Sequence, residues 1–321
     1  MFVLGLQGSP RKKGNTSVLL STFLTQAEKL GANTDYLDVP EKNITPCMEC
    51  GTCEREGFCP IEDDMQDIYP QLRRADIIVM ATPVFFYGPT AQMKALIDRS
   101  QALWARRYVH KLMDPLSKWR KGLLLALGAT KGQNLFEGLN LTAKYFFDAL
   151  GAEFDGLLGY RKIEGPGEIK KHPTALTEAK EKAVAMVSPL MKRKRMLFVC
   201  TENACRSQMA SAFAQHLAGD RIEAESAGSA PAQKVNPVMM EVMAEKGIDM
   251  AYRKLESTKD VATRRKPDQI FSMGCGDICP LFPDASNEVW NLENPAGKSI
   301  DFMRRIRDEI EERVKKLVDG I

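Results

Sequence analysis

The sequence predicts two α/β domains in tandem: a doubly wound parallel sheet of five strands, then a smaller four-stranded one. Three observations predict this. The 321 residues exceed what one hydrophobic core usually fills. Short apolar runs alternate with segments of helical periodicity in both halves, the pattern of parallel sheets with helical crossovers. The series closes and then restarts on either side of the basic run Lys192-Arg193-Lys194-Arg195. A solvated linker over 191–195 would accordingly join a domain over 1–190 to one over 196–321, since the run has no interleaved aromatics to suggest a nucleic-acid patch.

In the first half, Phe2 to Gln7, Thr34 to Val39, Asp76 to Ala81, Leu123 to Leu127 and Glu153 to Leu158 are the expected strands. Helices are expected over Thr16 to Leu30, Asp64 to Arg74, Thr90 to Gln101 and Asn134 to Leu150, with Gly31 and Gly151 closing two of them. Pro173 to Val187 would be a closing helix, and Ser188 to Arg195 a short tether. The second half repeats the logic with strands at Met196 to Val199, Ile222 to Ser226, Gln269 to Met273 and Glu288 to Trp290. Its helices are expected at Ser207 to Ala218, Pro237 to Lys246 and Ile300 to Val318. No internal repeat relates the halves, which suits a fusion better than a duplication.

Composition narrows the function classes. Hydrophobic residues at 44% and charged residues at 27% are ordinary for a soluble chain. Without an eighteen-residue apolar stretch there is no membrane partner. Met1 runs straight into Phe2 to Leu6 and a Gly-Ser-Pro turn, which lacks the order of a signal peptide and points to a cytoplasmic address. A net charge of +3 is too small for a nucleic-acid footprint. The eight cysteines divide four and four, closely spaced, which in a reducing compartment argues for metal or redox chemistry rather than structural disulfides. His110, His172 and His216 are scattered, which argues against histidine-based hydrolysis.

The first strand leads into Gly8-Ser9-Pro10-Arg11-Lys12-Lys13-Gly14-Asn15-Thr16-Ser17, which opens a helix. Free backbone N–H groups at a helix start, several hydroxyls and a guanidinium suit a phosphate monoester. The alternative is a plain βα turn capped by Asn15 or Thr16. The third strand leads into Thr82-Pro83-Val84-Phe85-Phe86-Tyr87-Gly88-Pro89-Thr90, whose apolar and aromatic residues could line a flat ring beside the phosphate, or simply pack in the core. Gly128-Ala129-Thr130-Lys131-Gly132 would border the same crevice. Together these segments resemble the NAD(P)H-dependent FMN reductases of the flavodoxin superfamily. The resemblance implies a flavodoxin-like sheet, FMN phosphate on Ser9, Arg11, Asn15, Thr16 and Ser17, and the isoalloxazine against Pro83, Val84, Phe85, Tyr87 and Gly88. No Gly-x-Gly-x-x-Gly follows a strand, so a resident dinucleotide is not expected.

Cys47, Cys50, Cys53 and Cys59 follow the second strand as Cys-x2-Cys-x2-Cys-x5-Cys. Four thiolates this close suit an iron–sulfur cluster, with four-sulfur zinc as the alternative. The spacing resembles the compact motif of archaeal and bacterial iron–sulfur flavoproteins, which implies a [4Fe-4S] cluster near a flavin, a ferredoxin or NAD(P)H as electron donor, and a homo-oligomer.

The first strand of the second half ends in Cys200-Thr201-Glu202-Asn203-Ala204-Cys205-Arg206-Ser207, and a helix follows. Backbone N–H groups ahead of a helix start would bind a tetrahedral oxyanion and favour a thiolate at Cys200, with Arg206 as a planar fork and Ser207 bonding the sulfur or capping the helix. A buried structural cysteine is the bland alternative. The segment resembles low-molecular-weight tyrosine phosphatases and the arsenate reductases that share their fold. Ser207-Gln208-Met209-Ala210, Ser226-Ala227-Gly228, Val235-Asn236-Pro237 and Pro295-Ala296-Gly297-Lys298 resemble the thiol-coupled arsenate reductases.

That resemblance implies arsenate as substrate, with Cys200, Asn203, Arg206 and Ser207 catalytic and Cys275 and Cys279 forming a thiol relay. Two departures stand out. The family's general acid is an aspartate where this chain has Asn294, which leaves Glu293 or water to supply the proton, and the relay spacing Cys-x3-Cys is short, so Cys205 stays a candidate partner for Cys200. The leading expectation is arsenate reduction fed by the flavin module. A redox-controlled phosphatase and a thiol-based oxyanion sensor are the competing readings.

Overall fold

The computed structural model describes residues 1–264, 266–274, 282 and 285–321. The chain divides into two compact units: Met1–Lys111 with Ser117–Met191, and Lys192–Ile321 with the short segment Leu112–Leu116.

The first unit runs β1 (Phe2–Gln7), α1 (Asn15–Lys29), β2 (Asn33–Asp38), α2 (Thr52–Glu56), α3 (Met65–Arg74), β3 (Ile77–Pro83), α4 (Ala91–Arg99), α5 (Gln101–Tyr108), β4 (Lys121–Gly128), α6 (Glu137–Ala149), β5 (Glu153–Arg161), α7 (Glu168–Lys171) and α8 (Ala175–Met191). Its five strands pair in parallel in the order β2-β1-β3-β4-β5. β1, β3 and β4 are buried almost end to end, as central parallel strands covered on both faces must be. The order reverses between β1 and β3, so the crevice beyond their carboxyl ends is where this architecture places a ligand.

The second unit runs β6 (Lys194–Cys200), α9 (Arg206–Ala218), β7 (Ile222–Gly228), α10 (Pro237–Ala244), α11 (Thr258–Ala262), β8 (Gln269–Ser272), β9 (Ser286–Val289) and α12 (Ile300–Asp319). Its sheet is parallel in the order β7-β6-β8-β9, with the switch point between β6 and β8. Phe198 is fully buried and packs its ring 5.1 Å from Phe271 and 5.9 Å from Trp290.

Both predicted sheets are present, and the differences are local. The tether is shorter than expected because α8 continues through Pro189 to Met191 and β6 already begins at Lys194. Within the expected basic linker, Arg193 and Arg195 are buried. Arg193 donates to Gly219 O, and Arg195 lies against Glu223 and Glu225, so these cations are structural. The single helix expected over Thr90 to Gln101 is two, because Ser100 closes α4 and α5 follows at once. Short α2, α7 and α11 lack the length for a periodic signal. Among the described residues no helix is long and apolar enough to cross a membrane.

Phe198→Ala should destabilise the second unit by about 3–5 kcal/mol, the usual cost of emptying a buried aromatic site. Urea denaturation followed through the Trp290 environment would measure it, and a loss under about 1 kcal/mol would mean the ring cluster is not the centre of this core.

Candidate functional site

In the second unit the site is built where β6 ends and α9 begins. Cys200 is 3% exposed, and its Sγ lies 3.0 Å from Ser207 Oγ while Asn203 N donates to it at 3.2 Å. The loop is held from outside. Carbonyls of Cys200, Thr201, Glu202 and Ala204 accept from the main-chain N–H groups of Ser229, Ala230, Ala232 and Asn236 at 2.9–3.2 Å. In a trans peptide the N–H points opposite to its C=O, so engaging these carbonyls outward turns the following amides of residues 201, 202, 203 and 205 inward. Two features let the backbones close this tightly. Gly228 has no Cβ where one would meet Thr201 O at 2.6 Å and Asn203 N at 2.8 Å, and Asn203 takes φ +53°, a left-handed value that asparagine tolerates.

Arg206 is buried beside this loop and donates to Leu292 O at 2.9 Å. Gly274 takes φ +71°, a left-handed value that favours glycine, and passes where a Cβ would stand 2.6 Å from Arg206 Nη1. Cys275 and Cys279, the expected relay, lie outside the described residues. Cys205, the other candidate partner for Cys200, is buried, and burial, with Cys200 and Glu202 adding, pushes its thiol up to about 12 despite Arg206. A thiol so held is protonated at neutral pH and a poor attacking group. Asn294 is exposed and its Oδ1 accepts from Ala296 N at 3.2 Å, capping the turn. Glu293 is exposed and paired with Arg305 at 2.6 Å.

In the first unit the loop after β1 carries Ser9, Thr16 and Asn15 buried and Arg11 exposed. Ser9 Oγ accepts from Arg11 N at 3.2 Å. Asn15 and Arg11 serve a neighbouring segment: Asn15 donates to Gly165 O at 2.8 Å and accepts from Ile169 N, and Arg11 donates to Glu164 O at 3.1 Å. Thr90, absent from the sequence-based list, is fully buried and donates to Gly8 O at 2.6 Å, tying the phosphate loop to the aromatic one. Its signal was available, since a threonine before Ala91 is a standard helix cap. Gly8 packs closely on its neighbours, since a Cβ there would stand 2.8 Å from Met93 Cε and 3.2 Å from Ala81 O. Gln7, at the end of β1, is fully buried with neither amide atom partnered among the described residues.

Pro83 and Val84 lead from β3 into a tight turn in which Phe85 and Gly88 exchange two main-chain hydrogen bonds at 2.9 Å. The turn's central residues, Phe86 and Tyr87, hold φ +49° and +63°, a costly choice for aromatic residues. It leaves Phe85, Phe86 and Tyr87 exposed, so the core-packing alternative fails for both phenylalanines. Ser17 is half-buried on the first turn of α1.

Cys47, Cys50, Cys53 and Cys59 line one cavity of about 650 Å³. Among the described residues no three His, Cys, Asp or Glu side chains converge closely enough to share one metal ion. The base of this loop is closed by a buried ion pair. Arg99 Nη1 and Nη2 donate to Asp63 Oδ2 at 2.6 Å and Oδ1 at 3.1 Å, and also to the carbonyls of Thr45 and Ile61 on either side of the four cysteines. Asp63 accepts from Thr45 N and Met65 N as well. Gln66 donates to Cys59 O, and His110, expected to stand apart, reaches Cys53 O at 3.2 Å. Burial pushes the Asp63 carboxyl up, but the hydrogen bonds from Arg99, Thr45 and Met65 outweigh it and hold the group below its ordinary value.

The folds and sites define two enzyme domains in one chain, a flavin-reductase type and a phosphatase-fold type. Residues 1–145 match the NADPH-dependent FMN reductase family, and residues 195–321 match the low molecular weight phosphotyrosine protein phosphatase family. Arsenate reductase 2 of Staphylococcus saprophyticus is 35% identical over 134 residues, 40% of this chain and 100% of that protein. Arsenate reductase 1 of Bacillus cereus is 37% identical, over 40% of this chain and 96% of that protein. An iron–sulfur flavoprotein of Methanocaldococcus jannaschii is 41% identical over 103 residues, 32% of this chain and 53% of that protein. The chain spans between 45% and 66% of the length of the first iron–sulfur flavoproteins it matches. The chain belongs, through its second unit, to the arsenate reductase family of low-molecular-weight phosphatase fold, and carries an FMN-reductase domain ahead of it.

Because the Asp63 carboxyl is depressed in the folded chain, its contribution to stability is present above the unfolded value of about 3.9 and is lost as pH falls through the folded value. Dithiodipyridine, which reacts with thiols in acid, should label Cys53 and Cys59 faster below that value than above it. Asp63→Asn should label fast at neutral pH too, since it leaves Arg99 buried without its counter-ion at a cost of about 3–5 kcal/mol. Labelling indifferent to both changes would show that the ion pair does not hold the loop.

Proposed function

We propose that the chain is an oxidoreductase that reduces arsenate to arsenite at Cys200, with reducing equivalents supplied by its flavin and iron–sulfur module. The observation that carries this is the Cys200 sulfur, held by Asn203 N–H and Ser207 in a loop whose carbonyls are engaged outward and whose amides are left for an anion. Arg206 adds a cationic fork, and the start of α9 adds the positive end of a helix dipole.

The chemistry balances as follows. The Cys200 thiolate attacks arsenic(V), and one arsenate hydroxyl takes a proton from Glu293 or solvent and leaves as water, forming a sulfur–arsenic bond. The Cys275 thiolate attacks the Cys200 sulfur; the sulfur–arsenic bond breaks, its electron pair stays on arsenic, and arsenite leaves from a Cys200–Cys275 disulfide. Cys279 attacks the Cys275 sulfur and releases the Cys200 thiolate, so the two electrons come from the dithiol that becomes the Cys275–Cys279 disulfide. Cys205 is left out because its buried thiol stays protonated. Asn294 cannot protonate a leaving oxygen, so in either reading that proton falls to Glu293 or water; Cys275 and Cys279, which a phosphatase would not need, favour reduction.

Ser9, Thr16 and Ser17 with the amides of their loop suit the FMN phosphate, and Pro83 to Gly88 the isoalloxazine, with the orphaned amide of Gln7 a further polar group at the same sheet edge. Arg11 and Asn15 would act there by fixing the loop. Cys47, Cys50, Cys53 and Cys59 need not converge on one point, because a cubane gives each thiolate its own iron. FMN stores two electrons and a cluster passes them singly, so the module would turn a ferredoxin or NAD(P)H into a source for the oxidised thiol pair. Joining both modules in one chain would raise the local concentration of reductant at that pair above what separate proteins provide. The resemblance of the cysteine spacing to that of iron–sulfur flavoproteins also implies a homo-oligomer.

Arsenate added to the prereduced protein under anaerobic conditions should give one arsenite per chain with loss of two thiols, and Cys200→Ser should abolish it. Cys279→Ser should stop at the first disulfide, releasing arsenite once and trapping a Cys200–Cys275 linkage visible by peptide mass. Aryl-phosphate turnover without arsenite would replace this reading by the phosphatase one. Iron, sulfide and flavin should co-purify anaerobically, and Cys53→Ala should lower iron and sulfide while FMN stays bound.

A further inference from the structure

Beyond the residues that touch the anion, the second unit holds a cation aimed at the nucleophile through a chain of neutral groups. Arg253 directs its three nitrogens at one face of α9: Nε donates to Gln208 Oε1 at 2.7 Å, Nη2 to Ser211 Oγ at 2.8 Å and Nη1 to Gln215 Oε1 at 3.0 Å. Among the described residues no carboxylate hydrogen-bonds it; Asp114 and Glu256 act on it only through space, and Glu256 is itself paired with Arg264. Burial lowers this guanidinium to about 10, far enough above neutrality that it stays charged.

A guanidinium can only donate, so Gln208 must present its oxygen to Arg253 and its NH2 to the other side. There Gln208 Nε2 donates to Asn203 Oδ1 at 3.1 Å. The main-chain N–H of Glu256 donates to the same oxygen at 3.0 Å, fixing the Asn203 amide independently. Asn203 must then offer Nδ2 to Ser207 Oγ, at 2.9 Å. Ser207, receiving on its oxygen, is left with its proton to give to Cys200 Sγ at 3.0 Å. Every donor in the series points toward the sulfur, and hydrogen bonds in such a chain polarise one another in a buried setting.

We propose that Arg253 is a positioning residue for the nucleophile, which through Gln208, Asn203 and Ser207 orients the last hydrogen bond onto Cys200 and stabilises its thiolate. This rests on Cys200 being the reacting group, as proposed above. Among the described residues, the charged and titratable groups around the two ends include Asp114, Glu256 and Arg264 near Arg253, and Cys205, Glu202 and Arg206 near Cys200. None of these stands within the hydrogen-bonded series, which runs entirely through amides and one hydroxyl.

The test uses the full chain and reads alkylation of Cys200 by iodoacetamide, quantified on its own peptide, across pH 5 to 9. Arg253→Gln should slow alkylation at pH 6 by about tenfold, roughly the worth of one hydrogen bond to a charged group, and move the profile to higher pH with its plateau unchanged. Ser207→Ala should do the same, and adding Arg253→Gln to it should give little further loss, because the route to the sulfur is already cut. Gln208→Met, which keeps the cation and removes the link, should reproduce Arg253→Gln and serves if that variant does not fold. Losses that multiply in the double variant, or an unmoved profile in both Arg253→Gln and Gln208→Met, would overturn the proposal. Failure of the unaltered protein to form arsenite would instead remove the arsenate reading while leaving these rates as they are.

Discussion

Everything at the second site depends on where four carbonyl groups go. The chain leaving β6 has to turn within a few residues to start α9, and a turn that tight carries unpaired peptide groups. The segment over 229–236 takes the carbonyls, and the amides are left on the inner side with the sulfur. Gly228 makes the approach of that segment possible and Asn203 supplies the left-handed residue that the turn requires. Remove the outer hydrogen bonds and the loop has no reason to present amides to an anion. The setting of the Cys200 sulfur is thus a consequence of backbone pairing, and the side chains around it refine what the backbone has set.

The first unit solves a similar problem at the same place in its sheet. Both sites stand at the carboxyl ends of parallel strands where the strand order reverses, β1 with β3 and β6 with β8. There the crossovers leave in opposite directions and open a crevice. In each, a distant segment pins the turn: the Thr90 hydroxyl on Gly8 O, and the main-chain N–H groups after Gly228 on the carbonyls of the cysteine loop. The cysteine loop over 47–59 has little regular structure beyond the short helix α2, and its closure rests on the buried Arg99–Asp63 pair reaching both its shoulders. A buried ion pair contributes little to net stability, but the loss of one partner is severe, which makes such a pair a sensitive fastener.

Much of this was legible in the residues. The strand and helix alternation fixed both sheets because period-2 and period-3.6 patterns survive without knowledge of neighbours. Cys200 with Arg206 and Ser207, and the four spaced cysteines, were legible because their spacing is local. What could not be read was which long-range partner each polar side chain meets. Asn15 and Arg11 looked like phosphate ligands from their position at a helix start, yet they bond a segment about 150 residues away. Arg193 and Arg195 looked like a solvated run, and are buried, Arg193 donating to Gly219 O and Arg195, within β6, lying against Glu223 and Glu225.

The sequence by itself determined the two domains, their order, the placing of Cys200 between a strand and a helix, and the cysteine quartet, since each follows from neighbours along the chain. Only the tertiary structure decided that Cys205 is buried with its thiol held protonated, that Arg99 clamps the cysteine loop, and that Arg253 stands at the head of a hydrogen-bond series ending on Cys200. The physical reason is the same in each case. Burial and hydrogen-bond direction are properties of groups brought together across the fold, and no periodicity along the chain encodes which donor will face which acceptor.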